Sequence, residues 1–119
     1  MIVGIGVDCE NVNRFSHLKK DLAKKLFTQK EIEYCLESSN PKERFAARFC
    51  AKEAVKKALA NTGINLMFNE IEVIKDGTIP SILFVEKDLN KKYRVHLSIT
   101  HAKTMAVAFA ILEEKWKKN

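Results

Sequence analysis

A chain of 119 residues with 21 Lys and Arg against 15 Asp and Glu carries a formal charge of +6 at neutral pH. Hydrophobic residues are 46% and charged residues 30%, an ordinary balance for one soluble globular domain spanning residues 1–119. No apolar run approaches the roughly 20 residues of a membrane span, and the apolar N-terminal segment has no charged leader of the kind a signal peptide carries.

The charge surplus favours an anionic partner and does not choose among nucleic acid, a phosphorylated cofactor, an acidic protein or an anionic membrane. Cys9, Cys35 and Cys50 are too few and too far apart for a zinc site or a disulfide framework, and read as reduced thiols of a cytoplasmic protein. A chain this short buries roughly 60–70% of its unfolded surface. An extended substrate is therefore expected to lie on a surface or between subunits.

Ile2 to Val7 is an apolar run interrupted by Gly4 and Gly6 and closed by Asp8. It reads as a buried strand whose glycines allow close backbone approach. Val12, Phe15 and Leu18 follow at helical spacing in a polar segment. Thr28-Gln29-Lys30-Glu31 has the form of a capping box and predicts a helix to about Leu36. Asn40-Pro41-Lys42-Glu43 is a second start signal, with Asn at the N-cap and Pro in the first turn. The helix it opens is expected to reach about Asn61, with Gly63 beyond its end. Ala47, Cys50, Ala51, Ala54, Val55 and Ala58 recur at offsets of three and four, a face of small side chains suited to lying close on a sheet.

From Glu70 the period changes. Ile71–Ile74 and Ile82–Val85 read as strands joined by a turn around Asp76-Gly77, Val95–Thr100 as a third, and Met105–Leu112 as a buried fourth. His101-Ala102-Lys103-Thr104 connects the last two, and Glu113–Asn119 is a charged tail expected to project into solvent. The fold class is α+β, one long helix packed on a mostly antiparallel sheet.

Each residue that can carry chemistry also has a plainer reading. Asp8 ends a strand, where a carboxylate is often a turn residue. Glu53 sits mid-helix and can pair with Lys57 at i,i+4. If the helix crosses the first strand, both carboxylates converge, and two close carboxylates repel unless one is protonated or a cation lies between them. Oxygen-only ligands beside a phosphorylated substrate point to Mg²⁺. Arg44, Arg48, Lys52 and Lys56 repeat every four residues, either as a solvated face or as a phosphate-binding ridge. His101 follows a strand, where a single histidine is usually unremarkable. Glu31 already has a capping job.

Together these segments resemble the bacterial-type, short-chain holo-acyl-carrier-protein synthase family of 4′-phosphopantetheinyl transferases. The resemblance rests on Gly4-Ile5-Gly6-Val7-Asp8 with Arg14-Phe15, on Phe27-Thr28-Gln29-Lys30-Glu31, on Arg44 to Ala58 with its Ala51-Lys52-Glu53-Ala54 core, and on Leu97-Ser98-Ile99-Thr100-His101 followed by Ala106-Val107-Ala108-Phe109. The match is collinear from about residue 1 to residue 112, and four motifs in order are far more specific than any one.

The resemblance implies that family's fold and activity: transfer of 4′-phosphopantetheine from coenzyme A to a serine of apo-acyl carrier protein, releasing adenosine 3′,5′-bisphosphate, in fatty acid biosynthesis. By matching position, Asp8 and Glu53 would be Mg²⁺ ligands, and Lys57 would assist at the pyrophosphate. Arg48 and His101 would lie near the coenzyme A phosphates, and Arg14 on the surface meeting the carrier. Glu53 and Glu31 both stay open as acceptors of the serine proton. Family members are homotrimers with sites between subunits. Two departures stand out. The hairpin reads Gly77-Thr78-Ile79-Pro80 where the family more often has Gly-Lys-Pro, and no acidic residue follows His101. The competing reading from composition, a small basic RNA-binding α+β module, would need aromatic platforms on an exposed sheet. The candidate strands are mainly aliphatic, so no nucleic acid and no membrane partner is expected.

Overall fold

The computed structural model describes residues 1–76 and 79–115. The centre of the expected Asp76-Gly77 turn and most of the expected charged tail lie outside those residues. Strand β1 (Ile2–Asn11) leads through a 3-10 turn (Val12–Phe15) to helices α1 (Lys20–Leu26), α2 (Gln29–Glu37) and α3 (Pro41–Ala58). Strands β2 (Ile71–Asp76) and β3 (Ile79–Phe84), helix α4 (Lys87–Lys92), and strands β4 (Tyr93–His101) and β5 (Met105–Glu114) complete the chain.

Among the described residues all strand pairings are antiparallel, and they form two sheets rather than one. β5 lies in the middle of a three-stranded sheet ordered β1-β5-β4, and β2 with β3 makes a separate hairpin. The helix α3 lies against β1 and β5. Its small-residue face is what lets it approach, and Ala47, Cys50, Ala51, Ala54, Val55 and Ala58 are all buried. The strand contributes its glycines to the same contact. A Cβ on Gly6 would stand 1.9 Å from the Ala54 carbonyl oxygen, and one on Gly4 would stand 1.8 Å from that of Ala58. Helix and strand therefore touch backbone to backbone, which only hydrogen at Cα permits.

The other side of α3 meets an aromatic cluster. Phe15, Phe27, Phe45, Phe49 and Phe68 pack with successive ring centroids 5.0–6.5 Å apart in tilted and edge-on arrangements, each buried ring worth about 1.5–3 kcal/mol of transfer free energy. The capping box at Thr28 forms as expected, with Thr28 and Glu31 each serving the other's backbone. Asn40 does not cap α3 with its side chain; Ser38 Oγ instead accepts from the Asn40 amide at 3.1 Å. The helix ends at Ala58, short of Asn61, and a 3-10 turn (Ala60–Thr62) then runs to Gly63, which takes the left-handed conformation at φ 79°.

The run Met105–Leu112 is only half buried. Ala106, Ala108, Ala110 and Leu112 face α3 and are sealed off. Their alternates belong to a sheet face that no element among the described residues covers, where Ile5, Val7 and Phe109 are 63%, 53% and 41% exposed.

Candidate active site

β1 carries two carboxylates toward α3. Side chains alternate across a strand, so Gly4, Gly6, Asp8 and Glu10 share the face beneath the helix. Cys50 fixes the crossing, its thiol donating to the Asp8 carbonyl oxygen at 3.0 Å. About two turns further along α3, Lys57 Nζ donates to the Val7 carbonyl oxygen at 3.0 Å and reaches Asp8 Oδ1 at 3.4 Å. Asp8 Oδ2 is buried with no hydrogen-bond partner. Glu53 stands one turn before Lys57 on the same flank of α3. Asp8 and Lys57 thus meet at the β1 edge, and Glu53 lies on the flank of α3 that carries Lys57; among the described residues no three His, Cys, Asp or Glu side chains cluster closely enough to hold a metal by themselves.

Glu10 joins them, and sequence reasoning missed it. The period-two alternation that buries Asp8 is the signal that finds it. Glu10 accepts from Arg14 Nη1, and the Arg14 guanidinium also lies 5.6 Å from the Phe49 ring centroid. Burial, reinforced by Asp8 beside it, pushes the Glu10 carboxyl up to about 7 against the opposing pull of Arg14.

Arg48 and His101 are somewhere else. With Arg44, Lys75, Pro80 and Ile99 they line a cleft of about 140 Å³ between α3, β2–β3 and β4. Arg48 is 5% exposed, stacks on the Tyr34 ring at 4.0 Å, and leaves its Nε buried without a partner. Four cationic or titratable groups around one small cleft, one with an unspent donor, suit a phosphate. His101 is the last residue of β4, paired with Ala106 across the sheet, rather than the start of a connection.

The two clusters do not meet within one chain. Arg48 and Glu53 are five positions apart, which puts them about 140° apart around the helix axis. Across the sheet, Asp8 is in register with Ala108 and Ala108 with Ile99, so the whole width of β5 separates the carboxylate edge from the cation cleft. Each flank of α3 carries its own cluster.

The expected ridge of four cations is only half a ridge. Arg44 and Arg48 line the cleft, whereas Lys52 is fully buried and its ammonium is held by the carbonyl oxygens of Leu26 and Phe68 and by Glu31 Oε1. Desolvation pulls its proton affinity down, and the Glu31 charge opposes that pull. Lys56 donates to the Leu66 carbonyl oxygen at 2.8 Å. Glu31 is equally committed. Oε1 accepts from the Thr28 amide and from Lys52, while Oε2 accepts from the Val73 amide at 2.8 Å. Both oxygens are engaged by fixed donors and the side chain is 1% exposed, which tells against Glu31 as a proton acceptor.

On the uncovered sheet face Phe109 is the one phenylalanine, tyrosine or tryptophan among the described residues, beside aliphatic side chains and the exposed Arg94, His96, Ser98 and Thr100 of β4, which is sparse in the ring platforms that RNA bases stack on. No helix among the described residues is long and apolar enough to cross a membrane.

Known proteins repeat both the sequence and the fold. A holo-acyl-carrier-protein synthase of Clostridium perfringens (strain ATCC 13124) is 38% identical over 133 residues, covering 100% of this chain and 99% of its own. That of Chlamydia trachomatis serovar D is 40% identical over 119 residues, covering 92% of this chain and 98% of its own. The crystal structure of the Neisseria meningitidis synthase superposes with a TM-score of 0.82 at 29% identity over 95% of this chain and 99% of that one. The Bacillus anthracis str. Ames synthase, solved in complex with CoA (3′,5′-ADP), gives 0.81 at 36% identity over 98% and 99%. Residues 4–111, which hold both clusters, match the sequence profile of the 4′-phosphopantetheinyl transferase superfamily, and it is to this superfamily that the chain belongs.

Proposed function

We propose that the chain is a holo-acyl-carrier-protein synthase, an enzyme that moves 4′-phosphopantetheine from coenzyme A to a serine of apo-acyl carrier protein and so serves fatty acid biosynthesis. The observation that carries the mechanism is Asp8 of β1, whose carboxylate has one oxygen on Lys57 and the other buried without a partner, at the flank of α3 where Glu53 stands one turn before Lys57.

That donor set fits Mg²⁺. An orphaned buried carboxylate oxygen next to a second carboxylate is a hard anionic environment, and Mg²⁺ takes one or two protein carboxylates while keeping waters and substrate phosphates. Asp8 and Glu53 would hold the ion, whose chemistry when bound is to neutralise charge on the pyrophosphate oxygens.

The remaining work falls to side chains. The serine oxygen forms a bond to the β-phosphorus of coenzyme A as the bond to adenosine 3′,5′-bisphosphate breaks, and the serine proton leaves for a base. Glu53 is that base, directly or through water, since Glu31 is sealed from solvent with both oxygens already engaged by buried donors. Lys57, pinned by the Val7 carbonyl oxygen, lies where it can stabilise the departing phosphate oxygen. Arg48 and His101, helped by Arg44 and Lys75, bind the phosphates of the coenzyme.

Because each chain carries the two halves on opposite flanks of α3, the complete site is formed between subunits of a homotrimer. The resemblance supplies the number three. The uncovered face with Ile5, Val7 and Phe109 supports association, since solvent-facing apolar patches of this kind mark interfaces. The +6 charge suits an acidic carrier protein, for which Arg14 is the docking contact. Three free thiols support a reducing, cytoplasmic setting.

The test is incubation with coenzyme A, Mg²⁺ and an apo-acyl carrier protein, followed by intact-mass spectrometry. The carrier is expected to gain the mass of one phosphopantetheine, and only when Mg²⁺ is present. An unmodified carrier under these conditions refutes the assignment.

A further inference from the structure

Glu10 is the one charge on β1 that neither the fold nor the proposed chemistry consumes. It is 8% exposed and shares its strand face with Asp8, whose like charge repels it. An uncharged residue at this position would avoid both the desolvation cost and the repulsion. What Glu10 has in return is Arg14, whose Nη1 donates to Glu10 Oε1.

Arg14 is 61% exposed along its side chain, and exposed arginines ordinarily sample many rotamers. Here the tip is tied to Glu10, and the guanidinium lies 5.9 Å and 5.6 Å from the ring centroids of Phe15 and Phe49. A guanidinium offers five N–H donors in a rigid fork, and Glu10 engages one nitrogen. The rest of the fork remains available for a second carboxylate.

We propose that Glu10 is a positioning residue for carrier docking: it holds Arg14 in one pose, with the free edge of the guanidinium turned to a carboxylate of the acidic carrier protein. This rests on the reading of Arg14 as part of the docking surface. A side chain already ordered loses less freedom on association, so the benefit falls on carrier affinity rather than on chemistry. It also assigns a job to an acidic residue placed, against the net charge, beside a surface that receives an acidic partner.

The test is a double-mutant cycle over Glu10→Ala and Arg14→Ala, with Glu10→Gln as an isosteric control that keeps an acceptor oxygen at Arg14. Affinity is measured with a carrier whose acceptor serine is replaced by alanine, and kinetics with the intact carrier and coenzyme A. Each alanine variant should weaken carrier binding by about three- to tenfold, the scale of ordering one rotamer-rich side chain. The kcat at saturating carrier and the coenzyme A KM should stay within about twofold, and the double variant should bind no worse than the weaker single one. Glu10→Gln should lose less than Glu10→Ala, and it carries the test if thermal melts show Glu10→Ala to be unfolded. Multiplicative effects, or a raised Mg²⁺ requirement with unchanged carrier affinity, would overturn the role of Glu10. If Arg14→Ala leaves carrier affinity unchanged while transfer proceeds, the docking reading falls and Glu10 falls with it. Absence of transfer in the unmodified enzyme fails the transferase reading instead.

Discussion

Lys52 and Glu31 form an ion pair sealed from water on both sides, with side-chain exposures of 0% and 1%. Through it the first turn of α2, the middle of α3, the Val73 amide of β2 and the Leu26 and Phe68 carbonyl oxygens are joined at one point.

Breaking that pair from one side should be severe. Glu31→Gln or Lys52→Met each leaves a buried charge unmatched, and each is expected to cost about 3–5 kcal/mol of unfolding free energy. The double variant should cost clearly less than the sum. Urea denaturation of the four proteins measures this. The folded fraction of Glu31→Gln should keep its kcat within about twofold, because a saturated structural carboxylate takes no part in proton transfer; a loss near a hundredfold would return Glu31 to the list of bases, on the usual scale of general-base effects.

Asp8→Asn and Glu53→Gln should each lower transfer by about a hundredfold or more at millimolar Mg²⁺, as expected when one charged group is removed from a phosphoryl-transfer site. Circular dichroism should leave the fold intact in both. Mg²⁺ titration followed by calorimetry gives a second readout: the wild type should bind the ion in the presence of coenzyme A, and neither variant should match it. Equal binding in all three proteins would remove these residues as ligands.

The glycines of β1 make a purely steric prediction. In Gly6→Ala the new methyl would stand 1.9 Å from the Ala54 carbonyl oxygen, and since backbone faces backbone, helix and strand must separate. A loss of about 1–3 kcal/mol is expected from overpacking alone, together with reduced transfer because Asp8 and Glu53 sit on the two elements forced apart. A thermal melt indistinguishable from wild type would show that α3 moves away more freely than its contacts imply.

The proposed sharing of one site between subunits predicts complementation. Glu53→Ala and His101→Ala should each be inactive alone, and mixing them under exchange conditions should restore part of the activity as some interfaces regain both intact halves. Sedimentation velocity should show a trimer at the assay concentration. A monomer that is fully active would refute the shared site and leave the transferase assignment standing.

Much of this was legible in the residues, for identifiable reasons. The small-residue stripe of α3 and the glycines of β1 are two halves of one steric contact, and each half is visible alone. The Thr28 capping box is local chemistry and formed as read. Lys52 was not legible. At i,i+4 from Arg48 and Lys56 it looks like part of a solvated ridge, and only the tertiary position of Glu31, 21 residues away, reveals a buried ammonium. Helices α1 and α4 were missed because they are 7 and 6 residues long, too short for an apolar period to show. Nor does any local signal place β5 between β1 and β4, and without that order the separation of the Asp8 and Arg48 clusters onto two flanks of α3 is invisible.

That strand order also governs when the catalytic edge can come into being. β1 hydrogen-bonds only to β5 among the described strands, so Ile2–Asn11 must wait for Met105–Glu114 before it has a ladder to join. Nearly the whole length of the chain separates the partners, and such long-range closure is the slow class of folding event. During synthesis, helices α1 to α3 emerge early with an aromatic cluster and a glycine-rich strand that has nothing to pair with. The nascent chain thus carries an aggregation-prone segment, Ile2-Val3-Gly4-Ile5-Gly6-Val7, until its last strand arrives. Asp8, at the end of that segment, gains its place under the helix only as the final ladder zips shut.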